Sequence, residues 1–150
     1  MSGAAQYRKT GPRTYSPKQG TTVKAHRVVE AVAPGRIQLA GAASVRTLGV
    51  ALTDCIAPED LQTGPVIDGS GRPVTAMYAL PVNTAVADGG IEVKVEYAAD
   101  AVFGDRLVAA ANGKVTPAGA TPDARTIVGK CTEPLGVTVA TNAFGLMETA

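Results

Sequence analysis

Asp88-Gly89-Gly90-Ile91-Glu92-Val93-Lys94-Val95-Glu96-Tyr97 decides the fold class. Ile91, Val93, Val95 and Tyr97 alternate with Glu92, Lys94 and Glu96, a period of two that puts the apolar set on one face of a strand and the charges on the other. Asp88-Gly89-Gly90 precedes it as a turn. Downstream, Gly104-Asp105 and Asn112-Gly113 are turn signals, because Gly and Asn accept the positive φ that tight β turns need. The centre of the chain, Ala85 to Val115, therefore reads strand, turn, strand, hairpin, strand.

The same grammar extends outward. Glycine and proline, 17 and 10 of the 150 residues, are spread along the whole chain, which implies frequent turns and short strands. Aromatics are 4% and tryptophan is absent, so the core is built from Val, Ala, Leu and Ile. Thr21 to Val32 is rich in β-branched residues and reads as the first strand of a body, and Pro34-Gly35 turns the chain. Arg36 to Ala40 and Val45 to Leu52 follow as strands. Residues 54–63 hold at most one short helical turn, and Gly64 to Val74 form a hairpin with Asp68-Gly69 at its tip. Thr75 to Val82, Thr126 to Cys131 and Leu135 to Ala140 read as further strands, with a Pro/Gly/Thr loop from Thr116 to Ala124. The expected fold is all-β, a compact β-barrel or β-sandwich with short strands and an extended N-terminal arm. Its divisions are an arm over 1–22, a body over 23–141 and a weakly patterned C-terminal tail over 142–150.

A faint echo runs through the body. Arg46-Thr47-Leu48-Gly49-Val50 resembles Arg125-Thr126-Ile127-Val128-Gly129 and also Leu135-Gly136-Val137, each an apolar strand with an internal glycine. Such a glycine marks a bulge, a corner or a close backbone approach, which suits a curled sheet. The echo is too short to define a repeat.

Charge is unevenly placed. Arg8, Lys9, Arg13, Lys18, Lys24 and Arg27 all precede the first acid, Glu30, while the remainder, with eight basic and thirteen acidic residues, sits at about −5. The chain is a basic arm on an acidic body. Gly3, Gly11, Pro12, Pro17 and Gly20 keep the arm extended, and Tyr7 and Tyr15 are its large apolar groups, of the kind that anchor a segment on a partner. Six positive charges with two tyrosines suit phosphate neutralisation, but the acidic body offers no aromatic platform, which weighs against nucleic acid. The arm fits equally an acidic protein surface, including the body of a neighbouring copy.

Catalytic patterns are missing. The lone histidine, His26, falls in the predicted first strand between Lys24 and Arg27, a setting for a surface or interface role rather than a base beside a nucleophile. One His with two distant Cys does not make a zinc site, and Cys55 and Cys131 read as buried free thiols. Glu92 and Glu96 fall on the solvent face of a strand, and Asp100 and Asp105 in turns, so they do not face a cleft. Gly69-Ser70-Gly71 and Gly89-Gly90 are hairpin tips with no helix to back a phosphate. No enzyme activity, cofactor, metal or small-molecule substrate is expected. The N-terminus lacks an apolar signal core and no apolar run reaches about 18 residues, so a soluble protein made in a cytoplasm, without membrane contact, is expected.

The order of Leu48 to Ala51, Val86-Ala87-Asp88-Gly89-Gly90-Ile91-Glu92-Val93, Phe103-Gly104-Asp105-Arg106-Leu107, Asn112-Gly113-Lys114-Val115 and Ile127-Val128-Gly129-Lys130 resembles the capsid decoration, or cement, proteins of tailed bacteriophages. The arm ahead of the body resembles those by which such proteins reach over a capsid. The resemblance implies a compact β module, a homotrimer or a dimer, made in the host bacterial cytoplasm. It would bind the outer capsid surface across junctions of the major capsid protein, stabilise the shell and perform no reaction. On that reading Tyr7, Arg8, Lys9, Arg13, Tyr15 and Lys18 are capsid or inter-subunit contacts. The basic arm and the segment from Asp54 to Pro73 depart from the pattern. A head-fibre base or tail component is the alternative, and a nucleic-acid-binding module is the alternative of a different class.

Overall fold

The computed structural model describes residues 11–61, 66–74 and 80–150. They form an all-β structure with two five-stranded antiparallel sheets. The first sheet is built from β1 (Arg13–Tyr15), β3 (Val28–Val32), β4 (Arg36–Leu39), β5 (Thr47–Ala51) and β9 (Thr84–Ala87), in the order β1-β9-β5-β3-β4. The second holds β10 (Glu92–Glu96), β11 (Arg106–Ala109), β12 (Val115–Pro117), β13 (Ile127–Cys131) and β14 (Phe144–Thr149), in the order β10-β14-β13-β11-β12. Two short pairs complete the chain: β2 (Thr22–Val23) with β6 (Cys55–Ile56), and the hairpin of β7 (Val66–Ile67) and β8 (Pro73–Val74).

The two sheets are topological copies. Taken in chain order, the five strands of each are arranged first-fifth-fourth-second-third. Each sheet rolls until its outer strands meet at one parallel bridge, Pro17 with Ile37 in the first and Tyr97 with Val115 in the second, and neither closes into a barrel. Each has a bulge at the same step, between Val29 and Glu30 and between Leu107 and Val108. Backbone bonds repeat too: Ala51 N donates to Arg27 O at 2.9 Å and Cys131 N to Asp105 O at 2.8 Å, while His26 N donates to Ala51 O and Gly104 N to Cys131 O. Gly49 and Gly129 then occupy one equivalent site. A Cβ on either would overlap a carbonyl oxygen of the next strand, that of Ala87 or of Glu148. Of the echo visible in the sequence, the first two members are equivalent but shifted by one residue, Thr47-Leu48-Gly49 matching Ile127-Val128-Gly129, whereas Leu135-Gly136-Val137 is a turn and has no part in the duplication. The Asp54 to Pro73 segment lies in the connection from β5 to β9, which runs much longer than that from β13 to β14.

Burial separates the halves. Inside the first roll lie Val23, Val29, Ile37, Ala51, Cys55 and Val86, with Tyr15, Leu39 and Leu48 packed against them. Inside the second lie Val95, Tyr97, Leu107, Val115, Cys131, Val137 and Met147, continuous with Val28, Ala40, Val50 and Ala87 from the outer surface of the first sheet. β3, β5 and β9 of the first half are thus covered on both sides, and Val28-Val29, Val50-Ala51 and Val86-Ala87 are consecutive buried pairs. The corresponding pairs of the second half are Arg106-Leu107, Lys130-Cys131 and Met147-Glu148, one member buried and one exposed. Tyr97 fills the second core, and its hydroxyl donates to Leu146 O at 2.9 Å. Leu146 O also accepts from Thr132 N at 3.1 Å, so Tyr97→Phe removes one of two bonds to it and should cost about 1 kcal/mol, read as a lower urea midpoint with an unchanged slope; an unchanged midpoint would show that the Thr132 bond alone satisfies the carbonyl.

Three expectations fail. Thr21 to Val32 is not one strand, because the chain turns at Ala25-His26: His26 has φ of 61°, and Ala25 N donates to Asp54 Oδ1 at 2.7 Å. No Gly or Pro announces this turn; a carboxylate distant in sequence holds it. Leu135 to Ala140 is not a strand but a turn at Gly136 with one bridge, Val137 to Ala101. Asn142 to Ala150, read as a weakly patterned tail, contains β14, which pairs with both β10 and β13. Its inward residues are Gly145, Met147 and Thr149, two of them too small or polar to register as an apolar alternation. The expected strand from Thr75 to Val82 falls largely outside the described residues.

Candidate functional site

Of the six arm positions, Tyr7, Arg8 and Lys9 lie outside the described residues. Arg13 and Tyr15 belong to β1, whose pairing with β9 sets Arg13 opposite Val86 and Tyr15 opposite Thr84. Tyr15 packs on the first core and is only partly exposed; Arg13 and Lys18 are exposed. Lys18 N donates to Ile37 O at 2.9 Å, Arg36 Nη1 to Pro17 O at 3.0 Å, and Gly20 N to Asp60 Oδ2 at 2.6 Å. The described part of the arm is therefore sewn onto the first sheet and presents two cations to solvent.

The seam between the halves is the second feature. Arg27, entering β3, donates to Asn112 O at 2.8 Å and pairs with Glu96, whose other oxygen takes Lys114 Nζ at 2.9 Å. Glu96 was expected on a solvent face, but its side chain is only 15% exposed, because the first half covers that end of β10. Burial alone pushes its carboxyl up; the Lys114 hydrogen bond and the charges of Arg27 and Lys114 outweigh this and hold it below the ordinary value. Glu96 N also donates to His26 O, and Gly113 N to Ala40 O. His26 lies at this seam, its ring edge-on to Phe144 at 6.1 Å with Nδ1 3.2 Å from Lys94 O. Neither contact activates a nucleophile. Cys55 and Cys131 are buried free thiols, and burial with the charge of Asp54 pushes the Cys55 thiol up to about 11, away from reactivity.

The third feature was not anticipated. Val102, Phe103 and Leu135 are 65%, 60% and 98% exposed, and the Ala101–Val137 bridge brings their two turns together at one end of the second half. Gly136 packs so closely on Ala101 and Val102 that a side chain there would strike the Ala101 carbonyl. Lys130 Nζ stands 5.7 Å from the centre of the Phe103 ring. Asp100, Asp105 and Glu133 surround the turns and accept from Val139 N, Val102 N and Leu146 N. Phe103-Gly104 and Leu135-Gly136 carried a usable signal: large apolar residues beside turn glycines are placed where the chain meets solvent. Among the described residues no group of three His, Cys, Asp or Glu side chains could hold a metal, and no helix is long and apolar enough to cross a membrane.

No protein-family model matches the chain, and no curated protein matches its sequence. Among solved structures, the fold is similar to the N base of the head fiber gp8.5 of bacteriophage phi29, with a TM-score of 0.55 and 14% identity. The likeness covers 93% of this chain and 94% of that one, so both halves take part in it.

Proposed function

We propose that this chain is a structural protein of a bacteriophage virion that attaches to the outside of the capsid, as the base module of a head appendage. The observation that carries the reading is the fold likeness to a head fiber base along nearly the whole chain. The chemistry is compatible: two packed cores make a rigid block, and the exposed cations Arg13 and Lys18, with Arg8 and Lys9 preceding them in sequence, suit attraction to an acidic shell. A decoration role, in which the chain bridges neighbouring copies of the major capsid protein as a homotrimer or dimer, is the second reading, favoured by the order of turn motifs from Leu48 to Lys130.

Co-sedimentation with expanded, undecorated phage heads tests both. Saturable binding at a low fixed ratio to the shell protein is expected for an appendage base, and binding at every equivalent shell junction for a decoration protein. The partner of the full chain in this comparison should begin at Gly11, because a later start removes β1 and with it an edge of the first sheet. Arg13→Glu with Lys18→Glu should weaken binding and reduce its salt dependence. Heads that leave the full chain wholly in the supernatant would overturn the capsid-binding reading.

A further inference from the structure

We propose that the turn pair bearing Val102, Phe103 and Leu135 is a docking surface for the basic N-terminal arm of a second copy of this chain. The inference deepens the homo-oligomer part of the reading above and does not require the capsid.

The duplicated fold supplies an internal control. Position for position, Val102-Phe103 in the second half corresponds to Lys24-Ala25 in the first, since Gly104 and His26 make the same turn and the same backbone bond. There the first half is polar: Lys24 Nζ lies 3.8 Å from Asp54, and Asp54 also takes the Ala25 amide. The turn therefore forms without large apolar side chains. Three of them grouped on one end of the second half, with Leu135 almost fully exposed, are not explained by the fold's own packing, and a grouped apolar set marks an interaction surface where scattered ones do not.

Charge selects the occupant. Asp100, Asp105 and Glu133 are fixed around the apolar set by the backbone amides they accept, and Lys130 is drawn over Phe103, so the rim carries an excess of negative charge held in place. The arm offers the complement, with Arg8, Lys9, Arg13 and Lys18 and the aromatic Tyr7 among them and no acid before Glu30. A chain cannot bring its own Arg13 and Lys18 there. The β1–β9 ladder and the Lys18–Ile37 bond hold those cations on the first half, whereas the turns lie on the second. For Arg13 and Lys18 the contact is therefore between copies, a heterologous arrangement that leaves one free arm and one free patch until a ring closes.

Sedimentation equilibrium of the purified full chain across a salt series tests this, with Leu135→Glu, Phe103→Ser and the pair Arg13→Glu with Lys18→Glu, each checked for folding by circular dichroism. Leu135 is 98% exposed, so its replacement should leave the fold intact. The expected result is a multimer that dissociates as salt rises, with self-association weakened roughly tenfold or more by Leu135→Glu and by the charge reversal alike. A single-chain mass at every concentration and salt would overturn the proposal. So would a multimer indifferent to Leu135→Glu and Phe103→Ser. A multimer lost with Leu135→Glu but untouched by the Arg13 and Lys18 reversal would remove the arm as occupant. Failure to bind phage heads would count against the capsid reading alone.

Discussion

Gly49→Ala is expected to lower stability by about 3 kcal/mol, a fall of about 10 °C in Tm for a chain of this length. Two costs combine. The residue sits at φ of +145°, a backbone conformation that side-chain-bearing residues rarely adopt, and a Cβ would overlap the carbonyl oxygen of Ala87 and come within 3.1 Å of Val86 Cγ1. The obstacle is the backbone of β9, which is paired on its far side to β1, so it cannot yield without disturbing a second ladder. Gly129→Ala, the equivalent change in the second half, meets Glu148 O and the Met147 side chain, whose Cγ would be 2.8 Å away. It should also destabilise, but less, because its φ is not in the left-handed region and Met147 has a flexible end. Gly119→Ala is the control: it is exposed with nothing within 4 Å, and it should change stability by less than about 0.5 kcal/mol. Thermal melts of the three variants decide the matter, and coincident melts for Gly49→Ala and Gly119→Ala would show that the close approach of β5 and β9 relaxes freely.

Glu96→Gln should cost about 2 kcal/mol near neutral pH, since it leaves Arg27 and Lys114 facing each other at a largely covered seam without their shared carboxylate. The pH dependence separates the charge from the shape. Because the folded carboxyl is held below its ordinary value of 4.5, ionised Glu96 stabilises the fold above that pH, and the contribution disappears as pH falls through the lower, folded value. Urea unfolding of the wild type should therefore lose stability as pH is lowered from about 5 to about 3, and Glu96→Gln should lose distinctly less over the same interval. Parallel losses in the two proteins would mean that other carboxylates carry the acid sensitivity and that the seam does not depend on this ion cluster.

Local patterns were legible wherever a residue's own neighbours set its conformation. Asp88-Gly89-Gly90 and the alternation to Tyr97 became a bend between β9 and β10 and β10 itself, with Val93, Val95 and Tyr97 buried and Glu92 and Lys94 exposed. Pro34-Gly35, Asp68-Gly69 and Gly104-Asp105 became turns, and Pro58–Asp60 a single short helical turn. The misreading at Leu135 missed a local turn, closed by Gly136 N donating to Glu133 O; the other two share one cause, dependence on residues far away. His26 turns because Asp54 holds the preceding amide, and β14 exists because β10 and β13 lie on either side of it, although Gly145 and Thr149 give its inner face little apolar signal.

The candidate surfaces divide in the same way. The basic arm could be read from charge order alone, and its cations at Arg13 and Lys18 are exposed. Tyr15, read as an anchor for a partner, packs on the chain's own core and stays partly exposed. Glu96 could not have been found, since Arg27 reaches it from the other half of the molecule.

By itself the sequence determined an all-β chain of short strands, the places where it turns, and a basic segment ahead of an acidic body, because alternation, glycine and proline conformations and charge order act over a few residues. Only the tertiary structure decided that the chain is one roll made twice, that Gly49 and Gly129 are the same position, and that Val102, Phe103 and Leu135 meet. Those facts rest on strand pairings between residues up to dozens of positions apart, which loop closure and packing of the whole chain select and no local pattern encodes.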